Sequence, residues 1–197
     1  FDELSFRLLG LAGLFEQARQ YAVALPALEQ VVASCPREAA AALLGLGNAH
    51  LALGDRAAAA EAFDRLDREH PVSPEATAAR ARLVALAGLL PARSASERAR
   101  LLLERGNALL SAGRTADAIA ALRAVPLASL DAAEADIARV RLGRALLAKG
   151  RATEGRALLH QVRPDSPSAA EAAFQLARDQ ARRSGSAAPF EAVAYGF

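Results

Sequence analysis

Three histidines, one cysteine and a scatter of carboxylates are the residues of this chain with enough chemistry to build a site. His50, His70 and His160 lie far apart, and none has a second ligand at the spacing of a metal motif, so no metal site is expected. Cys35 has no second cysteine to pair with; beside Pro36, at the end of a helical pattern, it reads as a small buried hydrophobe. No phosphate loop occurs, no glycine-rich nucleotide turn follows a strand, and no Ser/His/Asp arrangement is picked out by spacing. The sequence therefore offers no catalytic residue and no cofactor site.

Charge narrows the partners. Lys+Arg 24 against Asp+Glu 22 leaves a net charge of +2, a near cancellation that does not point to nucleic acid. Acids and bases interleave at helical spacing, as in Glu61/Arg65 and Asp64/Arg68, which predicts solvated helix surface. Arg80, Arg82, Arg93, Arg98, Arg100 and Arg105 form a local excess. Exposed helix faces explain it, with a site for phosphate or acidic ligands as the alternative.

The elements that would position these residues are helices. The chain is 53% hydrophobic but only 5% aromatic, so its apolar mass is mostly Ala and Leu, the best helix formers. Breakers fall mostly at boundaries: Gly54, Gly113, Gly150, Pro36, Pro71, Pro91, Pro126, Pro164 and Pro167. No alternating β-branched run suggests a sheet, and no apolar stretch is long enough to span a membrane.

One segment is diagnostic: Leu46-Gly47-Asn48-Ala49-His50-Leu51, then Leu53-Gly54-Asp55, Ala59, Phe63 and Pro71. It resembles a tetratricopeptide repeat, a helical hairpin of roughly 34 residues that buries its apolar stripe only by stacking on copies of itself. Gly47 and Ala59 take the close-approach positions, Gly54 a left-handed helix end, and Pro71 a stop. In the same frame the other copies carry Leu11, Ala12, Phe15, Ala24, Leu28 and Val31; Gly106, Gly113, Ala118, Leu122 and Val125; and Leu142, Gly143, Leu146, Gly150, Leu159 and Val162. Gly155 replaces the usual Ala. His50 falls on a packing position where the family prefers an aromatic residue, which predicts a core or half-buried histidine.

The expected fold is all-α: an α-solenoid of tetratricopeptide-like hairpins with one unpaired helix in the middle. A single superhelical domain over 1–197 would hold repeats at about 5–38, 40–73, 99–132 and 136–169, a partial repeat at 170–197, and an extra helix at about 74–90. That helix should bury Ala79, Leu83, Leu86 and Leu90. Pro91 to Ser96 is a connector, with Ser96 as the N-cap of the next helix. The start at Phe1 inside a helical pattern, the lack of methionine and the unfinished last repeat at Phe197 suggest a piece of a longer protein.

The middle and later segments carry a second resemblance. His70-Pro71-Val72-Ser73-Pro74-Glu75-Ala76, a Leu-rich helix, Ser94-Ala95-Ser96-Glu97-Arg98, the run from Leu109 to Leu122, and Ala170 to Arg178 look like the N-terminal superhelical region of soluble lytic murein transglycosylases. Phe190 to Phe197 resembles the second helix of a following repeat. The likeness covers roughly residues 40 to 197. It implies a periplasmic bacterial protein acting on peptidoglycan glycan strands, with this region as a scaffold for a C-terminal catalytic domain. The Glu-Ser and Gly-Leu-Met-Gln motifs of that domain do not occur here, so no catalytic residue carries over.

The alternative is a stand-alone adaptor holding a protein or peptide in its concave groove. Asn48, Asn107 and Arg144, at equivalent positions of first helices, are the candidate groove-lining residues. Asn48 resembles the asparagine of tetratricopeptide carboxylate clamps. The basic residue such a clamp needs one turn earlier is Leu44 here and Leu103 in the third copy. The groove is Ala-rich, with few aromatic anchors for a tight peptide site.

Overall fold

A computed structural model describes residues 9, 10, 13 and 19–185. Among them every regular element is helical, and the chain divides into two compact units, Phe1–Ala92 and Arg93–Phe197. The first unit holds α1 (Tyr21–Ser34), α2 (Ala39–Ala52), α3 (Arg56–Glu69), α4 (Pro74–Leu86) and a 3-10 turn, Ala87–Leu89. The second holds α5 (Ala95–Ser111), α6 (Thr115–Arg123), a 3-10 turn at Leu127–Ser129, α7 (Ala132–Ala148), α8 (Ala152–Leu159) and α9 (Ala169–Ser184). The architecture is an α-solenoid of hairpins: α2–α3, α5–α6 and α7–α8. Leu11, Ala12, Phe15 and Phe190 to Phe197 lie outside the described residues.

Each hairpin turns the same way. Gly54, Gly113 and Gly150 have φ of 84°, 74° and 77°, the left-handed region where a Cβ is unfavourable. Around Gly54, its own N–H donates to Leu51 O and Asp55 N–H to His50 O, the paired bonds of a Schellman motif. Gly113 with Arg114 and Gly150 with Arg151 repeat both bonds. Before α1, Arg19 holds the equivalent position, with φ 57°. Asp55 then caps α3 by accepting from Ala58 N–H at 3.0 Å.

The helix pairs are held together by close packing at small residues. Ala24, Ala59, Phe63 and Leu66 are fully buried, and a continuous core in the first unit runs from Ala24 through Leu43 and Phe63 to Leu86. α4 has no hairpin partner of its own and lies on α3 and α2. It buries Ala76, Ala79 and Leu86 and packs Leu83 at the edge of that core, where Leu90, beyond the helix, also packs. The helix ends at Leu86, short of the expected Leu90, because Gly88 and the constraint before Pro91 tighten its end into a 3-10 turn. Pro26 lies inside α1, away from a boundary.

The second unit divides its core among smaller clusters: Ala99 with Leu103 and Leu122, Ile119 with Leu146, and Val140 with Leu159 and Ala172. Ion pairs join its successive hairpins, with Arg100 Nε 2.6 Å from Glu134, Arg123 Nη2 2.6 Å from Glu154 and Arg156 Nη1 2.9 Å from Asp179. Asp136 is fully buried between α7 and the segment after α8, 2.8 Å from both Arg139 Nη1 and Arg163 Nε.

Two local expectations are corrected. The cap of α5 is Ser94, not Ser96: Ser94 Oγ accepts from Glu97 N–H at 3.2 Å, and Glu97 returns a bond from Ser94 N–H at 2.7 Å. The reason is register, because a capping box needs its acid three residues on, and Glu97 stands three after Ser94. Asp64 is buried rather than solvated, bonded to Arg68 at 3.0 Å. Glu61 and Arg65 are exposed as expected, and Arg65 pairs with Glu69 at 2.8 Å.

Candidate functional site

In a helical hairpin the first helix keeps one face free of its partner, and residues at i, i+3 and i+7 line that face. On α2 these are Ala41, Leu44 and Asn48. They open on a cleft of about 290 Å³ in the first unit, which Leu9 and Leu28 also line and Glu75 borders. Among the described residues, its lining side chains are apolar except for the Asn48 amide and the Glu75 carboxylate. Neither side chain has a hydrogen bond or ion pair among the described residues, so both keep their bonding capacity for a ligand. Glu75 sits in the first turn of α4, where the helix dipole favours its negative charge.

The other two candidates belong to the second unit. Asn107, on α5, is half-buried, and its Oδ1 has no hydrogen-bond partner among the described residues. Arg144, on α7, lies 3.7 Å from Glu171 Oε1 of α9, an oxygen also 3.4 Å from Arg141 Nη1. Sequence reasoning missed Leu28 and Glu75 at the cleft. Both come from neighbouring helices, and only tertiary packing brings them to Asn48.

The expected arginine excess is split. Arg80 and Arg82 belong to the first unit, while Arg93, Arg98, Arg100 and Arg105 belong to the second. Arg80 bonds Asp67 at 2.5 Å, Arg82 lies over the Phe63 ring at 5.9 Å, and Arg100 pairs with Glu134.

His50 is half-buried, with Nδ1 3.9 Å from Asp55 Oδ2; His70 is half-buried and His160 exposed. Cys35 is buried. Among the described residues no three of His, Cys, Asp and Glu gather where they could hold a metal. Burial and hydrogen bonding both act on the acidity of Asp136. Desolvation, the largest single influence, pushes its carboxyl upward, but hydrogen bonds from Arg163, Ser166 and Arg139 together outweigh it and hold it below the usual carboxylate range. That is the electrostatics of a packing joint, since the carboxylate is sealed from any ligand. No described helix is long and apolar enough to cross a membrane.

The geometry is thus helical hairpins closed by left-handed glycine turns, with a small cleft on a first-helix face. No curated protein matches the chain. The family described as Tetratricopeptide repeat matches it over residues 9–74 and 103–170, more than half of its length. Those spans take in all three complete hairpins apart from the first turns of α5, and the chain belongs to the tetratricopeptide repeat family.

Proposed function

We propose that this chain is a non-catalytic interaction scaffold that takes an extended protein segment into the cleft of the first unit. The observation that carries it is the pairing of Asn48 and Glu75 in an otherwise apolar cleft. An amide offers a donor and an acceptor to a peptide backbone, and a carboxylate accepts from a backbone N–H. Leu9 and Leu44 supply surface for one apolar side chain. A peptide array probed with the chain and with Asn48→Leu tests this. Bound peptides should lose signal with the variant while its helical melt stays unchanged; an unaltered pattern of binding counts against the cleft.

A second reading extends the sequence resemblance. In it the chain is the supporting superhelix of a periplasmic lytic transglycosylase, a single domain over 1–197 that carries a catalytic domain and guides peptidoglycan strands. The order of motifs from His70 to Arg178 supports it, as does a lone helix set between hairpins. Retention of the chain on purified sacculi tests the guiding role, and failure to be retained removes it.

A further inference from the structure

The second unit concentrates positive charge around α8, a second helix, away from the first-helix faces. Glu154 of α8 is held between two arginines: Arg123 Nη2, at the end of α6, lies 2.6 Å from Oε2, and Arg151 Nη2, at the start of α8, lies 2.6 Å from Oε1. Asp179 of α9 is held in the same way, its Oδ2 lying 2.9 Å from Arg156 Nη1 of α8 and 3.2 Å from Arg183 Nε of α9. Four guanidiniums thus surround two carboxylates across three neighbouring helices. Lys149, the C-cap of α7, and Arg182, in the last turn of α9, add two exposed cations with no ion pair among the described residues. Six basic groups against two acids leave this patch at +4, whereas the whole chain carries only +2. The remainder of the chain is therefore net acidic. None of the large apolar side chains exposed among the described residues belongs to the patch. Nothing in it would anchor a peptide side chain, stack on an unpaired base or insert into hydrocarbon.

We infer that this patch docks on an anionic phospholipid surface, at the level of the headgroups and without insertion. Guanidiniums take phosphate oxygens through paired hydrogen bonds, and each Arg or Lys near an anionic bilayer adds attraction that fades within a Debye length. Lipid headgroups move laterally, so their phosphates can gather over Lys149, Arg151, Arg182 and Arg183 and stay clear of Glu154 and Asp179. A nucleic-acid duplex holds its phosphates in fixed rows, which would lay negative charge over both carboxylates. The surface is separate from the Asn48 cleft and does not depend on it.

Co-sedimentation of the full chain with vesicles tests it, with phosphatidylcholine alone and phosphatidylcholine mixed with phosphatidylglycerol as the two surfaces. The chain should pellet with the mixed vesicles, stay in solution with the neutral ones, and be released as salt rises. Lys149→Gln and Arg182→Gln break no ion pair among the described residues, so both variants should keep the fold. Each should weaken partitioning by about fivefold, and the two together by about twentyfold. Removing an exposed arginine of the first unit, in Arg56→Gln, should leave partitioning unchanged, as should Asn48→Leu. The inference is overturned if the chain ignores phosphatidylglycerol or if the double variant pellets like the parent. It is overturned equally if Arg56→Gln costs as much as Lys149→Gln, because net charge rather than the patch would then be acting. Tighter binding of a DNA duplex than of the mixed vesicles, lost in the same double variant, would overturn it in favour of nucleic acid. Any of these failures leaves the cleft reading standing.

Discussion

The ring of Phe63 fills the space that a side chain on Gly47 would need: a Cβ there would stand 2.5 Å from Phe63 Cδ1 and closer still to Cε1. The same relation recurs at the same offset along the chain. A Cβ on Gly106 would stand 2.5 Å from Leu122 Cδ2, and one on Gly143 would stand 2.8 Å from Leu159 Cγ. In each hairpin a large side chain of the second helix lies on a bare patch of the first. This contact sets how closely the two helices approach, and so where the first-helix face carrying Asn48 is presented.

Gly47→Ala should therefore destabilise the chain even though Ala is the better helix former. Overpacking at a site whose neighbour is fully buried costs about 1–3 kcal/mol, against a propensity gain of about 1 kcal/mol. Gly88→Ala meets nothing within 4 Å and should be neutral or slightly stabilising. Urea midpoints for the two variants check this; equal midpoints would remove the packing role of Gly47.

Gly155 makes the opposite case to a family average. The repeat pattern favours Ala there, yet a Cβ would stand 2.8 Å from the backbone oxygen of Gly143 and 3.0 Å from Leu147 Cγ. Because the obstacle is partly backbone, α7 and α8 must separate to admit it. Gly155→Ala should lower the thermal midpoint, with faster amide exchange concentrated in α7 and α8. An unchanged or raised midpoint would mean the two helices slide apart freely.

What was legible in the sequence was what is decided locally. Gly54, Gly113 and Gly150 announced their left-handed turns because the conformation selects the residue. Gly47 and Ala59 announced close approach for the same steric reason. Positions decided by distant neighbours stayed hidden. Asp64 looked like solvated surface because helical spacing says nothing of which face is covered, and Glu75 joined the cleft only through the packing of α4. The cap at Ser94 is local too, since its capping box with Glu97 is written in the sequence, one register step from the Ser96 alternative. Arg19 hid a turn because it is the wrong residue for one.

Arg19 can be corrected experimentally. A non-glycine residue in the left-handed region is disfavoured by roughly 1–2 kcal/mol, part of which is offset by the greater freedom glycine has when unfolded. Arg19→Gly should raise stability by about 0.5–1 kcal/mol. The reverse substitution at the equivalent Gly113, to Arg, should lower it. If both variants melt like the parent, the turn before α1 does not share the geometry of the turns before α3, α6 and α8.

Ser94 and Ser96 separate cleanly in a pair of alanine variants. Ser94→Ala removes both the acceptor for Glu97 N–H and the hydroxyl that bonds the Glu97 carboxylate at 2.8 Å, and should cost about 1 kcal/mol. Among the described residues Ser96 Oγ hydrogen-bonds Ser94 Oγ alone, at 3.1 Å, so Ser96→Ala should stay within about 0.5 kcal/mol of the parent. The side-chain and backbone bonds from Ser94 hold the Glu97 carboxyl below its ordinary range, so its contribution is present above the usual glutamate range and lost as pH falls below it. A larger effect at Ser96 than at Ser94 would reverse the assignment.

Asp136 gives a sharper dependence on pH, because it is fully buried and its partners span two segments. Asp136→Asn keeps the size but removes the charge that Arg139 and Arg163 surround, leaving their donors poorly matched. The loss should be about 1–3 kcal/mol near neutral pH, moderated because Arg163 remains partly in contact with water. The sign with pH follows from the depressed carboxyl. Its stabilisation is fully present above the unfolded aspartate value of about 3.9 and disappears as pH falls through the lower folded value. The gap between parent and variant should therefore hold steady from neutral pH down to about 4 and close below it. Urea unfolding across that range would show this, and a gap that stayed constant in strong acid would mean the joint is held by packing rather than by the ionised carboxylate.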